Sequence, residues 1–514
     1  MRYLGAENEY SCFLTRQTKR GRKVAIEIMP KKLSELSNSY IVSDKPYGLI
    51  NPTNSYFFKW IINGSKVYED NGQIEYATAE CGTVKELILT EKAGEIILRQ
   101  FYDFYKEPDL YLLKRTAGKI LDYDCFLGGD AGTGGSHENY AIRPSLFNKL
   151  TTIITGGETE QIIMMAHLAS RIIYTGAGHI LEKIENEETA DSRIKFCLSP
   201  RANFIKRQIG LQSTTDRALI NSRNEPLVFN TLSETKRLHL ICGDLNRSDW
   251  SLYLKYGTTY LLLAYLEIAE SKNVQKLIRE IRRYSTLIDN PVAFIKNLSF
   301  DSKNFLSKNY KSYFGKAIIT QKNILEAIKE ESDRLSEIVP ETTEIIEKWE
   351  TTIFGFLNDG EPNGDNQRKL DWMIKKKLFE NIIGDNIDAL AKLDDKYKIS
   401  KLLKLDLSYH RVNNKEMDLY RDLLAREFIK PLYGQKEIDF YIYNPPEGRA
   451  KRRIEMAKYA LEQKLSPMSL KWESLHIFLK KTSGTKELVL NLDNEDIDEL
   501  KRNIDYFRTM KYLP

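Results

Sequence analysis

The stretch YLGAENEYSCFL, residues 3–14, alternates in polarity over most of its length and contains two glutamates two positions apart. This alternation predicts a β-strand, in which residues i and i+2 lie on the same face. Glu7 and Glu9 would therefore stand side by side and repel each other. A hard divalent cation relieves such repulsion because it prefers oxygen ligands. The pair predicts either a cation site or a solvated polar strand face.

A β-hairpin further along the chain carries the next group of polar residues. Residues 65–70 and 73–80 fit two strands joined by an Asp-Asn-Gly turn, a sequence typical of tight hairpins. On the first strand, Lys66, Tyr68 and Asp70 share a face because they are two positions apart. A cation, a phenol and a carboxylate in one row can reach a phosphate, a metal and a substrate amine. A solvated strand edge is the alternative interpretation.

The second strand of the predicted hairpin contains two acids. Glu75 and Glu80 lie here among small and apolar neighbours. A carboxylate is costly to bury unless it is paired or bound to a cation. These acids therefore predict either an ion pair or a cation site.

Two polar clusters lie in the first half of the chain. A glycine-rich loop, residues 128–136, leads directly into a His-Glu-Asn run that begins at His137. Glycines let backbone N–H groups approach phosphate, but the loop lacks the Walker pattern. The strand predicted over residues 237–242 delivers His239 to a polar turn, an arrangement that can build a rigid site. A capping turn before the next helix is the competing interpretation.

The order of the predicted elements, strands first and mostly helices after residue 315, favours an α+β fold over a doubly wound sheet. A Pro/Gly cluster at residues 443–448 predicts a boundary between a large domain, 1–443, and a small domain, 444–514. The small domain is predicted to run helix, strand, strand, helix. The predicted helices elsewhere cover residues 84–106, 159–174, 257–271, 321–338, 342–356, 366–379 and 415–428.

Composition and charge exclude several classes of protein. The 514 residues are 42% hydrophobic, enough for a large core, and the formal net charge of +5 indicates no nucleic-acid-binding stripe. The most apolar helical run, residues 258–269, is too short to span a bilayer, and the N-terminus lacks the pattern of a signal peptide. Five scattered cysteines without a CxxC pair indicate a reducing cytoplasm. We therefore expect a cytoplasmic protein with neither nucleic acid nor membrane as a partner.

Eight segments of the chain together resemble the family of Pup ligases and depupylases, which are relatives of glutamine synthetase and other carboxylate–amine ligases. They occur in the family's order and at similar spacing, and Trp472 extends the match. The matching segments are residues 5–10, 63–70, 75–81, 137–140, 220–226, 237–249, 370–372 and 405–410. The resemblance implies a large glutamine-synthetase-like domain, with a curved antiparallel sheet backed by helices, and a small C-terminal domain.

The same resemblance implies roles for individual residues. Asp70 takes the place of the catalytic carboxylate, and ATP and magnesium are the implied cofactors. The implied metal ligands are Glu7, Glu9, Tyr68, Glu75, His137 and His239. The implied ATP contacts are Lys66, Thr78, Arg223 and Trp472, the last by stacking on adenine. Lys66 stands where the family usually has an arginine, which loses bidentate phosphate binding.

The implied reaction joins the side chain of a glutamate in a small Pup-like protein modifier to a lysine of a target protein. ATP would convert the glutamate carboxylate into an acyl phosphate, and metal ions would neutralise the charge that develops on the phosphates. The lysine amine is protonated near pH 7. Asp70 would accept its proton, a role worth about 10²–10⁴-fold in rate.

Three other functions stay open at this point. The same site would serve a depupylase or deamidase, which cleaves the bond instead of forming it. Residues 77–81 resemble the ligases and the stretch 14–62 is short for the long depupylase loop, whereas residues 210–215 resemble the depupylases. A small-molecule carboxylate–amine ligase and a non-enzymatic ATP-binding scaffold are the remaining alternatives.

Overall fold

The computed structural model places the strands and helices of most of the chain. It describes residues 3–14, 41–42, 58–70, 73–105, 110–116, 133–153, 157–182, 194–213, 215–223, 235–283, 285–305, 309–358, 365–393, 395–413, 418–465, 468–481, 484–494 and 496–509. Within these residues, helices combine with predominantly antiparallel sheets, which confirms the α+β class. Residues 128–132 of the glycine-rich loop and 415–417 of a predicted helix lie outside the described ranges.

Ten of the described strands form one large sheet, and two more form a small separate one. These twelve strands are β1 Leu4–Leu14, β2 Ile41–Val42, β3 Phe58–Ile61, β4 Lys66–Asp70, β5 Gln73–Ala77, β6 Leu110–Leu113, β7 Ser136–Ile142, β8 His179–Glu182, β9 Ile194–Cys197, β10 Arg207–Gly210, β11 Ala218–Asn221 and β12 Lys236–Gly243. The order across the large sheet is β10-β11-β12-β7-β1-β5-β4-β3-β2, and β6 pairs with β1 off this path. Its pairs are antiparallel except β10–β11.

β1 lies at the centre of the large sheet and confirms the strand predicted over residues 3–14. Residues 4–8 pair with β7, residues 7–10 with β5 and residues 11–14 with β6. Successive side chains of a strand point to opposite faces. We call the side that carries Glu7 and Glu9 the front face, and the side that carries Leu4 and Tyr10 the back face.

The hairpin predicted from the Asp-Asn-Gly turn is also present. β4 pairs antiparallel with β5, and Asp70 lies opposite Gln73 where the two strands meet the turn. The second strand was predicted to reach residue 80, but it ends at Ala77, so Glu80 lies beyond it. Glu75 is therefore held in the paired strand, whereas Glu80 follows the strand and can contact residues outside the hairpin.

Helices pack against the back face of the large sheet. The described helices are α1 Val84–Tyr105, α2 Pro144–Thr151, α3 Thr159–Ser170, α4 Ile172–Thr175, α5 Asp249–Ile268, α6 Ser271–Arg282, α7 Ser285–Asp289, α8 Pro291–Phe300, α9 Tyr313–Lys329, α10 Ser332–Ser336, α11 Thr342–Asn358, α12 Asp371–Ile383, α13 Lys396–His410, α14 Leu419–Ala425, α15 Gln435–Tyr443, α16 Arg449–Glu462 and α17 Ile497–Thr509. Leu4 and Tyr140 of the back face share one buried apolar cluster with Val84 and Leu261. Burying such a side chain fully stabilises the fold by about 1.5–3 kcal/mol. None of the helices in the described ranges is both long and apolar enough to cross a membrane.

α5 differs from its prediction, which placed a helix over residues 257–271. The helix begins at Asp249, eight positions earlier, and is buried along nearly its whole length. A helix buried on every side has no polar stripe to mark its turns. Ser248 is its N-cap, which agrees with the competing interpretation of a capping turn before this helix, and the charged Asp249 and Lys255 are both buried.

Other predicted helices are present with shifted or broken boundaries. The helix predicted over residues 159–174 is interrupted at Arg171, whose side chain binds Glu138 of β7. The helix predicted over residues 321–338 is instead α9, which begins earlier, followed by the short α10. The helix predicted over residues 366–379 opens as a 3₁₀ turn before α12 begins.

The segment after residue 443 contains α16, a three-stranded antiparallel sheet and α17. The strands are β13 Met468–Leu470, β14 Ser474–Lys481 and β15 Gly484–Asn491, so there is one more strand than predicted. The apolar cluster of this segment includes Trp60 of β3, and Trp60 Nε1 donates to Leu470 O at 3.2 Å. The segment therefore packs directly on the large sheet. The division into domains 1–443 and 444–514 stays a prediction.

Candidate functional site

The strand register places three predicted metal ligands in one row on the front face. Tyr68 of β4 lies opposite Glu75 of β5, and Glu75 lies opposite Glu9 of β1. The Tyr68 hydroxyl donates a hydrogen bond to Glu75 Oε1. Glu75 is only 2% exposed. Like charges directly opposite each other destabilise a sheet, so the pair of Glu9 and Glu75 favours a cation between them.

A second row on the front face runs through Glu7. Lys66 lies opposite Ala77, Ala77 opposite Glu7, and Glu7 opposite His137. His137 Nδ1 lies 3.5 Å from Glu7 Oε2, and His137 Nε2 lies 4.0 Å from Glu9 Oε1. One imidazole therefore stands between the two acids of β1, which links this row to the first.

A hydrogen-bond relay fixes the tautomer of His239. Asn139 Nδ2 donates to Glu7 Oε1 at 3.1 Å, and Asn139 Oδ1 lies 2.8 Å from His239 Nδ1. Because the Asn139 nitrogen donates to Glu7, its oxygen accepts from His239, so Nδ1 carries the proton. Nε2 of His239 then keeps its lone pair for a ligand, the arrangement by which outer groups orient metal-binding histidines.

Glu7, His137 and His239 together form a group that could hold a metal ion. Each offers one ligand atom, and these atoms lie within 4.8 Å of one another. Burial opposes ionisation of Glu7, but Arg237, whose Nη1 lies 3.1 Å from Oε1, and the two histidines hold its pKa well below the usual range. Burial and Arg237 also lower the pKa of His239. A charged carboxylate and a neutral imidazole are the forms that bind a divalent cation.

The end of the glycine-rich loop holds Glu9. Gly135 donates its backbone N–H to Glu9 Oε2. A Cβ on Gly135 would lie 2.9 Å from both Arg201 Nη2 and His137 Nε2, so a larger residue here would displace one of these side chains. Arg201 in turn donates from Nη1 to Thr133 O at 3.1 Å. Residues 133–135 therefore shape the cation group, whereas approach of this glycine-rich loop to phosphate stays a prediction.

Asp70, the predicted catalytic carboxylate, is the last residue of β4. It lies two positions beyond Tyr68 on the strand and opposite Gln73 across the hairpin. Its side chain lies outside the part of the structure that is described. The position of its backbone is next to the row of Tyr68, Glu75 and Glu9, and its catalytic role stays a prediction.

Two tryptophans and two cations form what we call the aromatic corner, made of Trp60, Lys66, Arg453 and Trp472. The rings of Trp60 and Trp472 meet edge to face, with centroids 4.6 Å apart. Lys66 Nζ lies 5.1 Å from the centre of the Trp60 ring, and Arg453 Cζ lies 4.3 Å from it. Because Lys66 also belongs to the row of Glu7, the aromatic corner borders the cation group.

Glu80 attaches the aromatic corner to the hairpin. Glu80 Oε2 accepts from Arg453 Nη2 at 2.7 Å, and Glu80 Oε1 accepts from Arg449 Nε at 3.0 Å. Burial opposes ionisation of Glu80, but the two arginines lower its pKa. Of the two interpretations of this acid, the structure supports the ion pair.

Thr78 and Arg223, the other predicted ATP contacts, occupy contrasting environments. Thr78 is buried, and its hydroxyl accepts from the backbone N–H of Ala6 at 2.9 Å. Arg223 is exposed just after β11, and its backbone N–H donates to Asn221 Oδ1 at 2.8 Å. Contact of either residue with ATP stays a prediction.

Three residues of the site carried no clear signal in the sequence. Arg201 lies in a 3₁₀ turn, Arg201–Phe204, which has no strand alternation. Arg453 belongs to a run of basic residues in α16 that is typical of a solvated helix face, yet its side chain is fully buried. Trp60 lies in β3, and its hydrogen-bond partner Leu470 is 410 positions away in the chain. Each of the three residues is recognised only by its contact with a residue far away in the sequence.

The sequence matches one protein family along nearly its whole length. A profile of the Pup-ligase protein family matches residues 2–476. The Pup–protein ligase of Micrococcus luteus is 27% identical over 431 residues, covering 81% of this chain and 83% of the relative. The Pup–protein ligase of Bifidobacterium dentium is 29% identical over 465 residues, covering 88% and 84%.

Two solved structures share the fold. The complex between the prokaryotic ubiquitin-like protein Pup and its ligase PafA matches with a TM-score of 0.69 at 21% identity, over 100% of this chain and 95% of that one. The Pup ligase PafA in complex with ADP matches with a TM-score of 0.63 at 22% identity, over 92% and 98%. At these identities, the likeness establishes a common architecture.

The fold and the site define a class of α+β protein in which carboxylates and imidazoles gather on one face of an antiparallel sheet, beside a pair of tryptophans. The chain belongs to the Pup-ligase protein family, because the family profile spans residues 2–476 of its 514. This membership confirms the resemblance drawn from the eight sequence segments.

Proposed function

We propose that this chain is an ATP- and magnesium-dependent ligase that joins a glutamate side chain of a small Pup-like modifier to a lysine of a target protein. The observation that carries this proposal is the front face, where Glu9 faces Glu75 and Glu7 lies within 4.8 Å of two histidines. Its relatives are named Pup–protein ligases, and the similar structures are complexes with Pup and with ADP. The modifier and the lysine-bearing target are the proposed partners.

The donor atoms of the front face fit magnesium. Magnesium prefers oxygen ligands and binds few protein groups at once. Glu7, Glu9 and Glu75 offer carboxylate oxygens, and the Tyr68 hydroxyl lies against Glu75. The remaining proposed ligands are His137 and His239. When bound, magnesium would neutralise negative charge on the phosphates of ATP during phosphoryl transfer.

The aromatic corner is the proposed site of the nucleotide base. Trp472 offers a ring face to adenine, and Lys66 offers a cation between this ring pair and the cation group. Thr78 and Arg223 are further proposed ATP contacts. This arrangement would direct the phosphates of ATP toward Glu7 and Glu75, where the proposed magnesium ions lie.

Asp70 is the proposed base. It takes a proton from the attacking lysine amine, whose nitrogen then bonds to the activated glutamate carbon. The bond from that carbon to the phosphate oxygen breaks, and phosphate leaves with the second proton that the nitrogen loses. A base in this position contributes about 10²–10⁴-fold to the rate. The position of Asp70 next to the row of Tyr68, Glu75 and Glu9 supports this role.

The same observations support separate roles for two parts of the chain. We propose that residues 1–443 form the catalytic domain and residues 444–514 a small domain that completes the nucleotide site through Trp472 and Arg453. We place the activity in a reducing cytoplasm, because Cys81, Cys197 and Cys242 are buried free thiols.

Substitution of Asp70 tests the proposal. Purified wild type and the Asp70→Asn variant are incubated with ATP, magnesium, a Pup-like modifier and a lysine-bearing target, and the products are weighed by mass spectrometry. We expect wild type to give a product with the summed mass less one water. We expect Asp70→Asn to lose about 10²–10⁴-fold in rate while it binds ATP normally. Asp439→Asn, which changes an exposed acid of α15, is the matched control.

Two results would contradict the proposal. Equal rates of ligation for wild type and Asp70→Asn would show that Asp70 is not the base. Release of ammonia from the modifier, or of free target from a joined substrate, with no joined product from the separate proteins, would reverse the direction and identify a deamidase or depupylase.

A further inference from the structure

We propose that Lys255 of α5 is a positioning residue, which holds the loop and strand that carry His137 and the donor to Glu9. The inference rests on the proposed function, since it concerns the same cation group. Lys255 lies on the back-face side of the sheet and is fully buried, and within the described residues its Nζ donates to Ser136 and Asp244, neither of which is a proposed metal ligand. It therefore acts through other residues.

Lys255 connects two strands at the point where they approach the site. Its Nζ donates to Ser136 Oγ at 2.8 Å and to Asp244 O at 3.2 Å. Ser136 is the first residue of β7, and Asp244 directly follows β12. One ammonium group thus joins the start of one strand to the end of its neighbour.

Ser136 stands between two residues that build the cation group. Gly135 before it donates its N–H to Glu9, and His137 after it lies between Glu7 and Glu9. A displacement of Ser136 therefore moves both. The hydrogen bond from Lys255 holds the side chain of Ser136 and so restrains the backbone that joins Gly135 to His137.

Asp244 secures the other side of the same loop. Its carboxylate accepts the backbone N–H of Arg201 at 2.9 Å and that of Ala177 at 3.0 Å. Arg201 then binds Thr133 O and Ile241 O, at 3.1 and 3.0 Å. Residues 133–135 are thus held from one side through Arg201 and from the other through Ser136.

The strand pairing at this point is irregular, which explains why an added anchor is needed. The register of β12 against β7 shifts between Leu240 and Gly243. A Cβ on Gly243 would lie 2.7 Å from Ser136 O. Such irregular pairing re-aims side chains next to active sites but disrupts the local ladder of hydrogen bonds. Lys255 supplies two bonds at the disrupted place.

A lysine suits this position because two acids oppose the cost of burying its charge. Burial lowers the pKa of Lys255 to about 8, and Glu91 and Glu138 oppose that shift. The cations Lys114 and Arg171 also face it. Methionine has a similar length but no donor, so it removes the two hydrogen bonds while it fills the same space.

Binding of Mn²⁺ in the absence of ATP separates positioning from general stability. Mn²⁺ is titrated into wild type, Lys255→Met and Ser136→Ala and followed by electron paramagnetic resonance, and the melting temperature of each is recorded. We expect both variants to bind Mn²⁺ about tenfold more weakly, as when outer supports of a metal site are removed. Ser136→Ala keeps the buried lysine and deletes its acceptor, together with a 3.5 Å contact to the Tyr256 hydroxyl, so it serves where Lys255→Met folds poorly.

Lys375→Met is the matched control. Lys375 is also fully buried, but it pairs with Asp406, which is not a proposed metal ligand. We expect this variant to melt at a lower temperature and to bind Mn²⁺ as wild type does. Unchanged Mn²⁺ affinity in Lys255→Met and Ser136→Ala would overturn the positioning role, even where the melting temperature falls. Wild type that binds no Mn²⁺ would instead overturn the cation site of the proposed function.

Discussion

Glu138 and its neighbour His137 on β7 lie in opposite electrostatic environments. Glu138 points to the back face, where Arg171 binds both of its carboxylate oxygens and the Tyr140 hydroxyl adds a third bond at 2.7 Å. His137 points to the front face, between Glu7 and Glu9. The same strand thus carries an acid, Glu138, whose charge is balanced by a cation of the protein. One position earlier it carries His137, which lies beside two acids of the front face.

This difference separates structural charges from ligand-binding charges. On the back-face side, two buried acids have a cation of the chain as partner: Glu138 has Arg171, and Glu91 has Lys114 at 2.6 Å. On the front face, Glu9 and Glu75 face each other across paired strands. A buried ion pair is satisfied without any addition, whereas opposed carboxylates gain from a bound cation. The front face is therefore the side that a metal would stabilise.

Removal of a front-face acid should give the largest change in activity and little loss of stability. Glu75→Gln removes the charge that opposes Glu9, so we expect the melting temperature without metal to stay the same or rise. The rate of ligation should fall by at least about 10³-fold, because a catalytic metal contributes several kcal/mol. Ligation kinetics and thermal melting of the same preparation measure both. A large loss of stability in Glu75→Gln would show that this acid has a structural role and would contradict the difference drawn between the two faces.

Removal of a back-face partner should have the reverse effect. Arg171→Met leaves Glu138 buried without its cation, and breaking such a pair costs about 3–5 kcal/mol. Urea unfolding measures this loss. The double variant Arg171→Met with Glu138→Gln should recover part of it, because no charge is then left unpaired. A loss below about 1 kcal/mol, typical of exposed pairs, would contradict the structural role of the ion pair.

Asp244 is an intermediate case, because backbone N–H groups satisfy its buried carboxylate. Burial raises its pKa to about 6, although the N–H groups of Ala177 and Arg201 oppose the shift. The folded protein therefore binds this proton more tightly than the unfolded chain does, and stability falls as the pH rises through that value. The total loss is about 3 kcal/mol.

Asp244→Asn should lack this pH dependence. We expect the stability of wild type relative to Asp244→Asn to decrease between pH 4.5 and pH 7, as measured by thermal melting of both proteins in the same buffers. Parallel plots of melting temperature against pH for the two proteins would show that Asp244 does not change its protonation in that range. Asp244 would then not differ from an acid that is paired with a cation.

The smallest effect should come from the aromatic corner. Trp472→Ala removes a partly buried ring that touches Trp60, and a favourable aromatic contact is worth about 1 kcal/mol beyond its buried area. We expect ATP binding, measured by calorimetry, to weaken roughly fivefold while Mn²⁺ binding stays unchanged. Phe440→Ala, an exposed aromatic of α15, is the control. An equal loss in both would place adenine elsewhere.

The sequence predicted the front face because strand alternation has a period of two. Glu7 with Glu9, and Lys66 with Tyr68, could each be placed on one face from spacing alone. The pairing that brings Glu9 opposite Glu75 could not, because register depends on contacts between segments far apart in the chain. The resemblance to a family supplied that grouping instead, and the strand register agrees with it.

Other parts of the molecule were beyond prediction for physical reasons. The start of α5 was missed because Asp249 and Lys255 lie in its first two turns and both are buried against partners on distant elements. Arg201 was missed because a 3₁₀ turn gives its side chain no periodic context. Charged residues at buried positions look the same in a sequence as solvated ones, and only the fold separates them.

The contact between Trp60 and Leu470 spans 410 positions of the chain. During synthesis, all proposed metal ligands, from Glu7 to His239, leave the ribosome long before Trp472. At about 5–20 residues per second, this interval lasts on the order of 10–50 s. A nascent chain can thus assemble its acidic sheet face while the tryptophan pair is still incomplete. Nucleotide binding would then begin only on molecules whose translation has passed Trp472.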